Sequence, residues 1–190
     1  MKRKLRILVD MDNTIVDYST PMAKALQDKH PEFPHPITVD NWSRHIDEQP
    51  HLKKAQERIQ SQPKFFLDFE EIDCALDALR EMEEEGHSVF IVSSPSVNNP
   101  TCHSDKSTWL WRHLGEKWAR RLVLTKDKTI VAGDVLIDDR LDINGDEKEP
   151  TWKHIVFAQP YNVDLEGKDS RCFLHQWSNW KNIIEKVIKS

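Results

Sequence analysis

The chain has 190 residues and a formal net charge of −5 at pH 7, with 38% hydrophobic and 31% charged residues. These values are typical of one soluble globular domain with a small insertion. The acidic balance argues against a general binder of nucleic acid polymers, which relies on basic surface, although local basic patches stay open. Three widely spaced cysteines without a CxxC pattern, Cys74, Cys102 and Cys172, predict reduced thiols rather than a disulfide framework or a zinc site.

The N-terminal residues predict neither a signal peptide nor a membrane span. The basic start MKRK leads into an apolar run that Asp10 and Asp12 interrupt. No other stretch stays apolar for long enough to cross a bilayer. The sequence therefore predicts a cytoplasmic protein that does not bind membranes.

Five short apolar runs predict the strands of a sheet. They occupy residues 5–9, 89–94, 122–125, 134–139 and 154–159. Because helical stretches separate most of these runs, the strands are expected to lie parallel in a sheet that is covered on both faces.

The helical stretches of the second half are defined by apolar residues at helical spacing. The clearest helix covers residues 70–88, with Gly86 at the position of a C-terminal cap. Ser104 is predicted to cap the next helix, and a last helix occupies residues 177–190. The tryptophans in these helices are interpreted as packing residues rather than a stacking platform; they are Trp109, Trp111, Trp177 and Trp180.

Residues 17–69 interrupt the alternation directly after the first strand. They contain a helix that Ser19 or Thr20 is predicted to cap and a second helix within residues 49–63, without a convincing strand. The predicted fold is α/β, a three-layer Rossmann-like parallel sheet with a small helical cap inserted after the first strand. Residues 1–16 and 70–190 are predicted to form the core domain, and residues 17–69 the cap.

Acids, hydroxyls and lysines follow four of the predicted strands. In open α/β sheets, ligands bind beyond the carboxyl ends of the strands. Four carboxylates in one place repel one another and cannot all stay ionised without a compensating cation. Mg²⁺ is such a cation, and it prefers a few carboxylates together with the oxygens of a substrate phosphate. The residues at the strand ends are Asp10 and Asp12, Ser93 and Ser94, Thr125, Lys126 and Lys128, and Asp138 and Asp139.

Each of these groups has an ordinary structural alternative when it is taken alone. An acid pair after a strand is commonly a turn or a helix cap, two serines before a proline are commonly a loop, and Lys128 alone is typical of a surface residue. The joint occurrence of all four groups, each at a strand end, favours a phosphoryl-transfer site.

The four groups, in this order, resemble the motifs of the haloacid dehalogenase superfamily of phosphotransferases. The matching segments are DMDNT, Ser93, the lysine in LTKDKT, and IDD. Longer segments, including ILVDMDNTIVD, VFIVSSP and LVLTKDKTIVAGDVLIDD, resemble the 5'(3')-deoxyribonucleotidases of the pyrimidine, cytosolic type. Residues 19–60 are similar to that family only loosely.

The resemblance implies a phosphomonoester hydrolase that acts through an aspartyl-phosphate. Asp10 would be the nucleophile, and Asp12 would protonate the leaving oxygen and then activate water. Burial and acidic neighbours are expected to raise the pKa of Asp12, as the acid role requires. Ser93, with Ser94 beside it, would bind phosphoryl oxygens, and Lys128 would neutralise charge in the transition state.

The resemblance also implies a metal and a substrate site. Mg²⁺ would be held by the side chains of Asp10 and Asp139 and by the backbone carbonyl of Asp12, with Asp138 assisting. The substrate would be a small-molecule nucleotide, and a homodimer is left open. The implied or candidate substrate-binding residues are Tyr18, Trp42, Phe65 with Phe66, Ser94 and Lys106.

The chain departs from the usual pattern of the family at several positions. Asn13 stands where the family usually has glycine, and asparagine tolerates left-handed backbone. Ser93 replaces a threonine and keeps the hydroxyl. Lys126 replaces an arginine and so loses a bidentate donor.

Two other functions remain as alternatives. A phosphatase of the same superfamily that acts on another small phosphate ester would carry the same four groups. A non-catalytic phospho-acceptor module also places acids, a hydroxyl and a lysine around Mg²⁺, but its acid pair comes early in the chain. Here the acid pair comes last, and residues 17–69 have no counterpart in such a module.

Overall fold

The computed structural model describes residues 3–29, 37–38 and 49–189. Its centre is one parallel sheet, in the spatial order β3-β2-β1-β4-β5-β6. The predicted α/β class and parallel sheet are therefore confirmed. The strands are β1 (Arg6–Val9), β2 (Ser88–Ser93), β3 (Leu122–Leu124), β4 (Val135–Asp138), β5 (Lys153–Phe157) and β6 (Cys172–Leu174).

The strand order reverses between β1 and β4. Ile7 of β1 pairs with Val89 of β2 on one side and with Val135 of β4 on the other. From β1 the chain adds strands on one side, and from β4 it adds strands on the other. The connections on the two sides therefore lie on opposite faces of the sheet, and a crevice opens between them at its carboxyl edge. The ends of β1 and β4, which carry Asp10 and Asp138, border that crevice.

Helices connect β1 to β2 and β2 to β3, whereas loops connect the later strands, and a last helix follows β6. Most of their apolar residues join one large core cluster with alternate residues of the sheet, such as Ile7, Val9 and Ile137. The helices are α1 (Ser19–Lys29), α2 (Pro50–Gln60), α3 (Ala75–Glu84), α4 (Cys102–Leu114), α5 (Glu116–Ala119) and α6 (Trp180–Lys189), with short 3-10 helices at Val163–Leu165 and Trp177–Asn179. In the part of the chain that is described, no helix is both long and apolar enough to cross a bilayer.

The opposite face of the sheet carries a smaller apolar cluster. Leu8, Val92 and Leu136 pack there against Trp152. Gly133, just before β4, lies so close to β1 that a β-carbon added to it would stand 2.8 Å from Leu8 Cγ. A side chain larger than hydrogen therefore does not fit at this position without moving the buried Leu8.

We expect Gly133→Ala to lower the free energy of unfolding by about 1–3 kcal/mol, because extra atoms in a packed core force side chains out of their preferred rotamers. Urea denaturation of the purified protein measures this change. Val97→Ala, at a side chain that is 69% exposed, is the control and should change the free energy by less than about 0.5 kcal/mol. Equal stability of the Gly133→Ala variant and the unchanged protein would contradict the close approach.

Residues 17–69 leave and rejoin the core side by side. The N–H of Asp17 donates to the carbonyl of Glu70 at 2.9 Å, and the N–H of Ile72 donates to the carbonyl of Ile15 at 3.0 Å. The departing and returning passes of the chain are therefore joined by backbone hydrogen bonds at the predicted domain boundary. Between them lie α1 and α2, which pack against each other.

The helix starts differ from those predicted. Thr101 precedes α4, so Ser104 lies inside the first turn of that helix and is not its N-cap. At α1, Asp17 Oδ1 accepts the N–H of Thr20 at 2.9 Å, so neither Ser19 nor Thr20 supplies the cap. The free N–H groups of the first turn can be satisfied by any nearby side-chain acceptor. Residue type alone therefore does not identify which residue caps a helix.

Other differences concern short or broken elements. Strand β6 was not predicted, because three residues are too few to show a period of two. The predicted helix after β2 is divided at Gly115, which has a φ of 91°. Gly86 follows the end of α3 with a φ of 88°, as its predicted role at the C-terminal cap requires. Trp111 is 59% exposed, so its interpretation as a packing residue was wrong, whereas Trp109 is buried.

Candidate active site

A cleft of about 650 Å³ lies between the carboxyl ends of the strands and the helix α2. Its wall includes side chains from each of the four predicted strand ends: Asp10, Asp12, Ser93, Ser94, Lys126, Lys128 and Asp139. Thr125, predicted at the same edge, does not line the cleft and donates instead to the carbonyl of Asp127 at 2.9 Å. Asp138 and Lys106 lie directly behind this wall and are fully buried. Trp42 lies outside the described residues.

Lys128 is held between two acids. Its Nζ donates to Asp10 Oδ1 at 2.5 Å and to Asp138 Oδ2 at 2.5 Å, and its side chain is 6% exposed. Burial by itself would lower the pKa of Lys128, but attraction to Asp10 and Asp138 outweighs burial and raises the pKa above that of ordinary lysine. Lys128 is therefore a positively charged group that orients Asp10.

Three buried carboxylates surround the end of β4. Among the described residues, oxygen atoms of Asp10, Asp138 and Asp139 lie within 4.8 Å of one another. Burial, with repulsion from Asp10, raises the pKa of Asp138 from 3.8 to about 6. Burial, with repulsion from Asp138 and Asp10, raises the pKa of Asp139 well above its usual value. One lysine does not compensate three carboxylates, so this oxygen-rich donor set fits a divalent cation.

Asp12 has a different environment from Asp10. Lys106 Nζ, fully buried, donates to Asp12 Oδ2 at 2.6 Å and to Ser93 Oγ at 2.8 Å. Asp12 Oδ1 is buried and has no hydrogen-bond partner among the described residues. Burial, aided by repulsion from Asp10, raises the pKa of Asp12 although Lys106 opposes the change. This direction agrees with the expectation from the sequence, and it suits a carboxyl group that gives and takes a proton.

Ser93 ends β2 at the bottom of the cleft. Its hydroxyl oxygen accepts a hydrogen bond from Lys106 Nζ. The hydroxyl proton of Ser93 is therefore available to an acceptor in the cleft. Ser94 and Lys126 also line the cleft. Lys106 thus places a charge behind Asp12 and Ser93 together rather than in the open part of the cleft.

The wall opposite the strand ends is formed by aromatic and polar residues. Tyr18 stacks on Phe66 with ring centroids 6.3 Å apart, and both line the cleft. Phe65 packs edge-on against Tyr18 at 5.9 Å and is not among the described residues that line the cleft. Of the phenylalanine pair, Phe66 is therefore the one that lines the cleft.

Helix α2 turns a polar stripe toward the cleft. The residues of α2 that line the cleft share one side of the helix; they are Lys53, Gln56, Glu57 and Gln60. The residues buried on the other side are Leu52, Ala55 and Ile59. Gln56 Nε2 donates to the hydroxyl of Tyr18 at 3.2 Å, and that hydroxyl donates to Gln60 Oε1 at 3.2 Å. The sequence interpretation did not identify this stripe.

The loop after β5 adds a residue that the sequence interpretation missed. Tyr161 lines the cleft, and its hydroxyl donates to Asp139 Oδ2. Asn13, with a left-handed φ of 56°, donates from Nδ2 to the Tyr161 oxygen at 2.9 Å. The available signal was the segment PYN directly after the fifth predicted strand, since the strand-end rule applies there as it does to the other four.

Comparison with solved structures agrees with the fold. The chain superposes on a haloacid dehalogenase-like protein of Agrobacterium tumefaciens with a TM-score of 0.63 and 14% identity, covering 95% of this chain and 97% of that one. A haloacid dehalogenase hydrolase of Bacillus subtilis, solved with bound magnesium, gives a TM-score of 0.58 at 14% identity and covers 96% of this chain and 99% of that one. At these identities the likeness is one of fold.

Comparison of sequences identifies the family. The human protein named 5'(3')-deoxyribonucleotidase, cytosolic type, is 37% identical over 192 residues, which cover 97% of this chain and 96% of the human one. The mouse protein named 5'(3')-deoxyribonucleotidase, mitochondrial, is 33% identical over 190 residues, covering 96% of this chain and 86% of its own. The family model described as 5' nucleotidase, deoxy (pyrimidine), cytosolic type C protein matches residues 3–189. The chain therefore belongs to this nucleotidase family.

Proposed function

We propose that this protein is a Mg²⁺-dependent phosphatase that hydrolyses 5'- and 3'-deoxyribonucleoside monophosphates through an aspartyl-phosphate on Asp10. The observation that carries the proposal is the difference between two neighbouring acids in one cleft. Asp10 is paired with the positively charged Lys128, whereas Asp12 has a raised pKa and a buried oxygen that has no hydrogen-bond partner among the described residues. Family membership supports the same chemistry.

In the first step, a carboxylate oxygen of Asp10 attacks the phosphorus atom, and the bond between phosphorus and the sugar oxygen breaks. Lys128 orients Asp10 and neutralises charge that grows on the phosphoryl oxygens, and Ser93, held from behind by Lys106, donates a hydrogen bond to them. Asp12 gives its proton to the departing sugar oxygen, so the nucleoside leaves as a neutral alcohol.

In the second step, water attacks the same phosphorus atom, and Asp12 takes a proton from that water. The bond between phosphorus and Asp10 breaks, which releases inorganic phosphate and restores both carboxyl groups. One residue serves in both steps because the first step deprotonates the group that the second step requires as a base.

The cation is proposed to bind at the end of β4. Asp10 and Asp139 would hold it through their side chains and Asp12 through its backbone carbonyl, with Asp138 assisting. Mg²⁺ prefers such a small set of carboxylates together with phosphate oxygens, and when bound it supplies positive charge to the transferring phosphoryl group.

The melting temperature is expected to depend jointly on pH and Mg²⁺. The folded protein holds the Asp138 proton with a pKa of about 6, against 3.8 ordinarily, so the folded state binds more protons between these values. Stability without Mg²⁺ should therefore fall as the pH rises through about 6. Mg²⁺ compensates the ionised acids, and its stabilising effect should be larger at about pH 7 than at about pH 5.

Thermal denaturation at both pH values, with and without Mg²⁺, measures this dependence. Asp138→Asn removes the carboxyl group with the pKa of about 6 and leaves Asp139 and Asp12, whose pKa values are also raised, so the effect of Mg²⁺ should depend less on pH between about 5 and 7. The same Mg²⁺ shift at both pH values in the unchanged protein would contradict the expected coupling.

Residues 17–69 are proposed to act as the cap that selects the substrate. Tyr18 and Phe66 supply a flat apolar wall of the kind that stacks on a nucleobase, and Trp42 and Phe65 stay predictions for the same surface. The core would then comprise residues 1–16 and 70–190. The homodimer is left open, and the cytoplasmic location stays a prediction; one relative is named cytosolic and another mitochondrial.

The polar stripe of α2 favours a second candidate substrate. Lys53, Gln56, Glu57 and Gln60 can donate and accept several hydrogen bonds, which suits a small phosphate ester more polar than a pyrimidine nucleoside. The chemistry at Asp10 and Asp12 would be unchanged.

Phosphate release from a panel of substrates separates the two candidates. The panel contains dUMP, dTMP, purine deoxynucleotides, ribonucleotides and sugar phosphates, each assayed with Mg²⁺ and with excess chelator. We expect the highest kcat/KM for a deoxyribonucleoside monophosphate and loss of activity with chelator. Comparable values for all esters, or a higher value for a sugar phosphate, would contradict the nucleotidase assignment.

A further inference from the structure

Tyr161 joins the base of the cleft to the start of α1. Its hydroxyl donates to Asp139 Oδ2 and accepts Asn13 Nδ2–H at 2.9 Å. We call these three residues, Asn13, Tyr161 and Asp139, the tyrosine bridge. The bridge lies in the wall of the cleft, where Asn13, Tyr161 and Asp139 all line the cavity.

Two backbone N–H groups, which can only donate, determine which atoms donate and which accept in the tyrosine bridge. Asn13 Oδ1 accepts the backbone N–H groups of Tyr18 at 3.2 Å and Ser19 at 2.9 Å. These groups only donate, so the amide oxygen of Asn13 must face them and its nitrogen must face Tyr161. The Tyr161 oxygen is then an acceptor, and its single proton is directed to Asp139.

Other contacts hold both ends of the tyrosine bridge in place. Gln159 Nε2 donates to the carbonyl of Asn13 at 2.7 Å. Asn162 Nδ2 donates to the backbone carbonyl of Asp139 at 2.7 Å and to that of Phe157 at 3.0 Å. The loop after β5 therefore fixes the backbone of Asp139 and of Asn13 as well as the Asp139 side chain.

The two oxygens of Asp139 differ in their contacts as a result. Oδ2 accepts the proton of Tyr161, whereas Oδ1 has a 3.5 Å contact with Thr14 Oγ1, at the limit of a hydrogen bond. A carboxylate anchored through one oxygen loses little rotational freedom when its other oxygen binds a cation. Outer hydrogen bonds of this kind orient metal ligands and raise metal affinity.

We propose that Tyr161 is a positioning residue: held by Asn13, its hydroxyl anchors Asp139 so that this carboxylate is preorganised for Mg²⁺. The inference rests on the metal site of the proposed function. It assigns a role to the loop after β5 and to Asn13, neither of which takes part in the chemical steps described above.

The test is Tyr161→Phe, which removes the hydroxyl and keeps the ring. We expect Mg²⁺ to bind about 10–100-fold more weakly, since loss of an outer hydrogen bond to a metal ligand commonly has an effect of this size. Isothermal titration of the substrate-free protein with Mg²⁺ gives the affinity, and the Mg²⁺ dependence of phosphate release gives an independent value. At saturating Mg²⁺, kcat should recover to within a few-fold.

Tyr18→Phe is the matched control, because it removes the same atom from the other tyrosine of the chain. The Tyr18 hydroxyl contacts Gln56 and Gln60 on α2, so its loss should alter KM for the substrate and leave Mg²⁺ affinity within about twofold. Asn13→Gly acts on the other end of the tyrosine bridge and permits the left-handed φ. It should weaken Mg²⁺ binding in the same direction but less, by about threefold, because Tyr161 can still donate to Asp139.

The melting temperature without Mg²⁺ identifies a variant that has lost its fold, in which case Asn13→Gly decides the question. Unchanged Mg²⁺ affinity in both folded variants would overturn the inference. If the unchanged protein binds no Mg²⁺, both the inference and the proposed metal site are overturned. Intact Mg²⁺ binding that Tyr161→Phe weakens, without turnover of any nucleotide, would support the tyrosine bridge and contradict only the nucleotidase assignment.

Discussion

Asp10→Asn is expected to reduce kcat by at least about 10⁴-fold, because the amide that replaces the carboxylate is a very poor nucleophile. The substitution keeps the size of the side chain, and the amide oxygen can still accept a hydrogen bond from Lys128 Nζ. The fold should therefore survive the change. The measurement is the initial rate of phosphate release at saturating substrate and Mg²⁺, together with the melting temperature.

A chemical quench experiment makes the same test at the level of the intermediate. Acid denaturation during turnover should trap phosphate covalently on the unchanged protein and none on the Asp10→Asn variant, as intact-mass analysis would show. Asp68→Asn is the control, since this exposed acid pairs with Arg112 on the surface, and its rate should stay within about twofold. Appreciable turnover by Asp10→Asn would remove Asp10 as the nucleophile.

The groups to which we assign the chemistry could be found in the sequence because each one follows an apolar run that predicts a strand. A run of apolar residues that ends in acids, hydroxyls or a lysine identifies a strand end, and the parallel sheet then gathers those ends at one edge. This rule predicts that Lys128, Asp10 and Asp138 lie at the same edge, and in the structure Lys128 Nζ lies 2.5 Å from an oxygen of each acid. Local pattern and topology are sufficient in such a case.

Contacts between distant loops and helices could not be read in the same way. The stripe of Gln56 and Gln60 faces the cleft only because α2 docks with Leu52 and Ile59 inward, and sequence spacing gives the stripe but not what it faces. Nor does spacing show that Lys106, one turn into α4, reaches Asp12 rather than the open cleft. Docking of a helix is a property of the whole core.

Asn13 illustrates how a departure from the family pattern acquires a meaning in three dimensions. In the sequence, its tolerance of left-handed backbone was the visible property, and its φ of 56° agrees with that expectation. Its side chain does more than tolerate the turn, since Oδ1 accepts the N–H groups of Tyr18 and Ser19 at the start of α1 and Nδ2 donates to Tyr161. Glycine at this position could make none of these side-chain bonds.

Asp12→Asn is expected to reduce turnover of a deoxyribonucleoside monophosphate by about 10³-fold, the usual scale for loss of a general acid and base. Asparagine cannot protonate the sugar oxygen, which is a poor leaving group as an alkoxide. It also leaves Lys106 with a neutral partner. If the backbone carbonyl of residue 12 is the metal ligand, Mg²⁺ affinity measured by titration should change by less than about threefold.

The leaving group separates the two roles of Asp12. The nitrophenolate of p-nitrophenyl phosphate departs without a proton, so Asp12→Asn should still transfer the phosphoryl group to Asp10 from this substrate. Deprotonation of water in the second step would remain slow, and a stoichiometric burst of nitrophenol followed by a slow steady rate is the expected trace. Equal losses for both substrates with no burst would mean that Asp12 is needed for something other than the proton of the leaving group. A burst with p-nitrophenyl phosphate and none with a nucleotide would place the acid of the first step and the base of the second on this one carboxyl group.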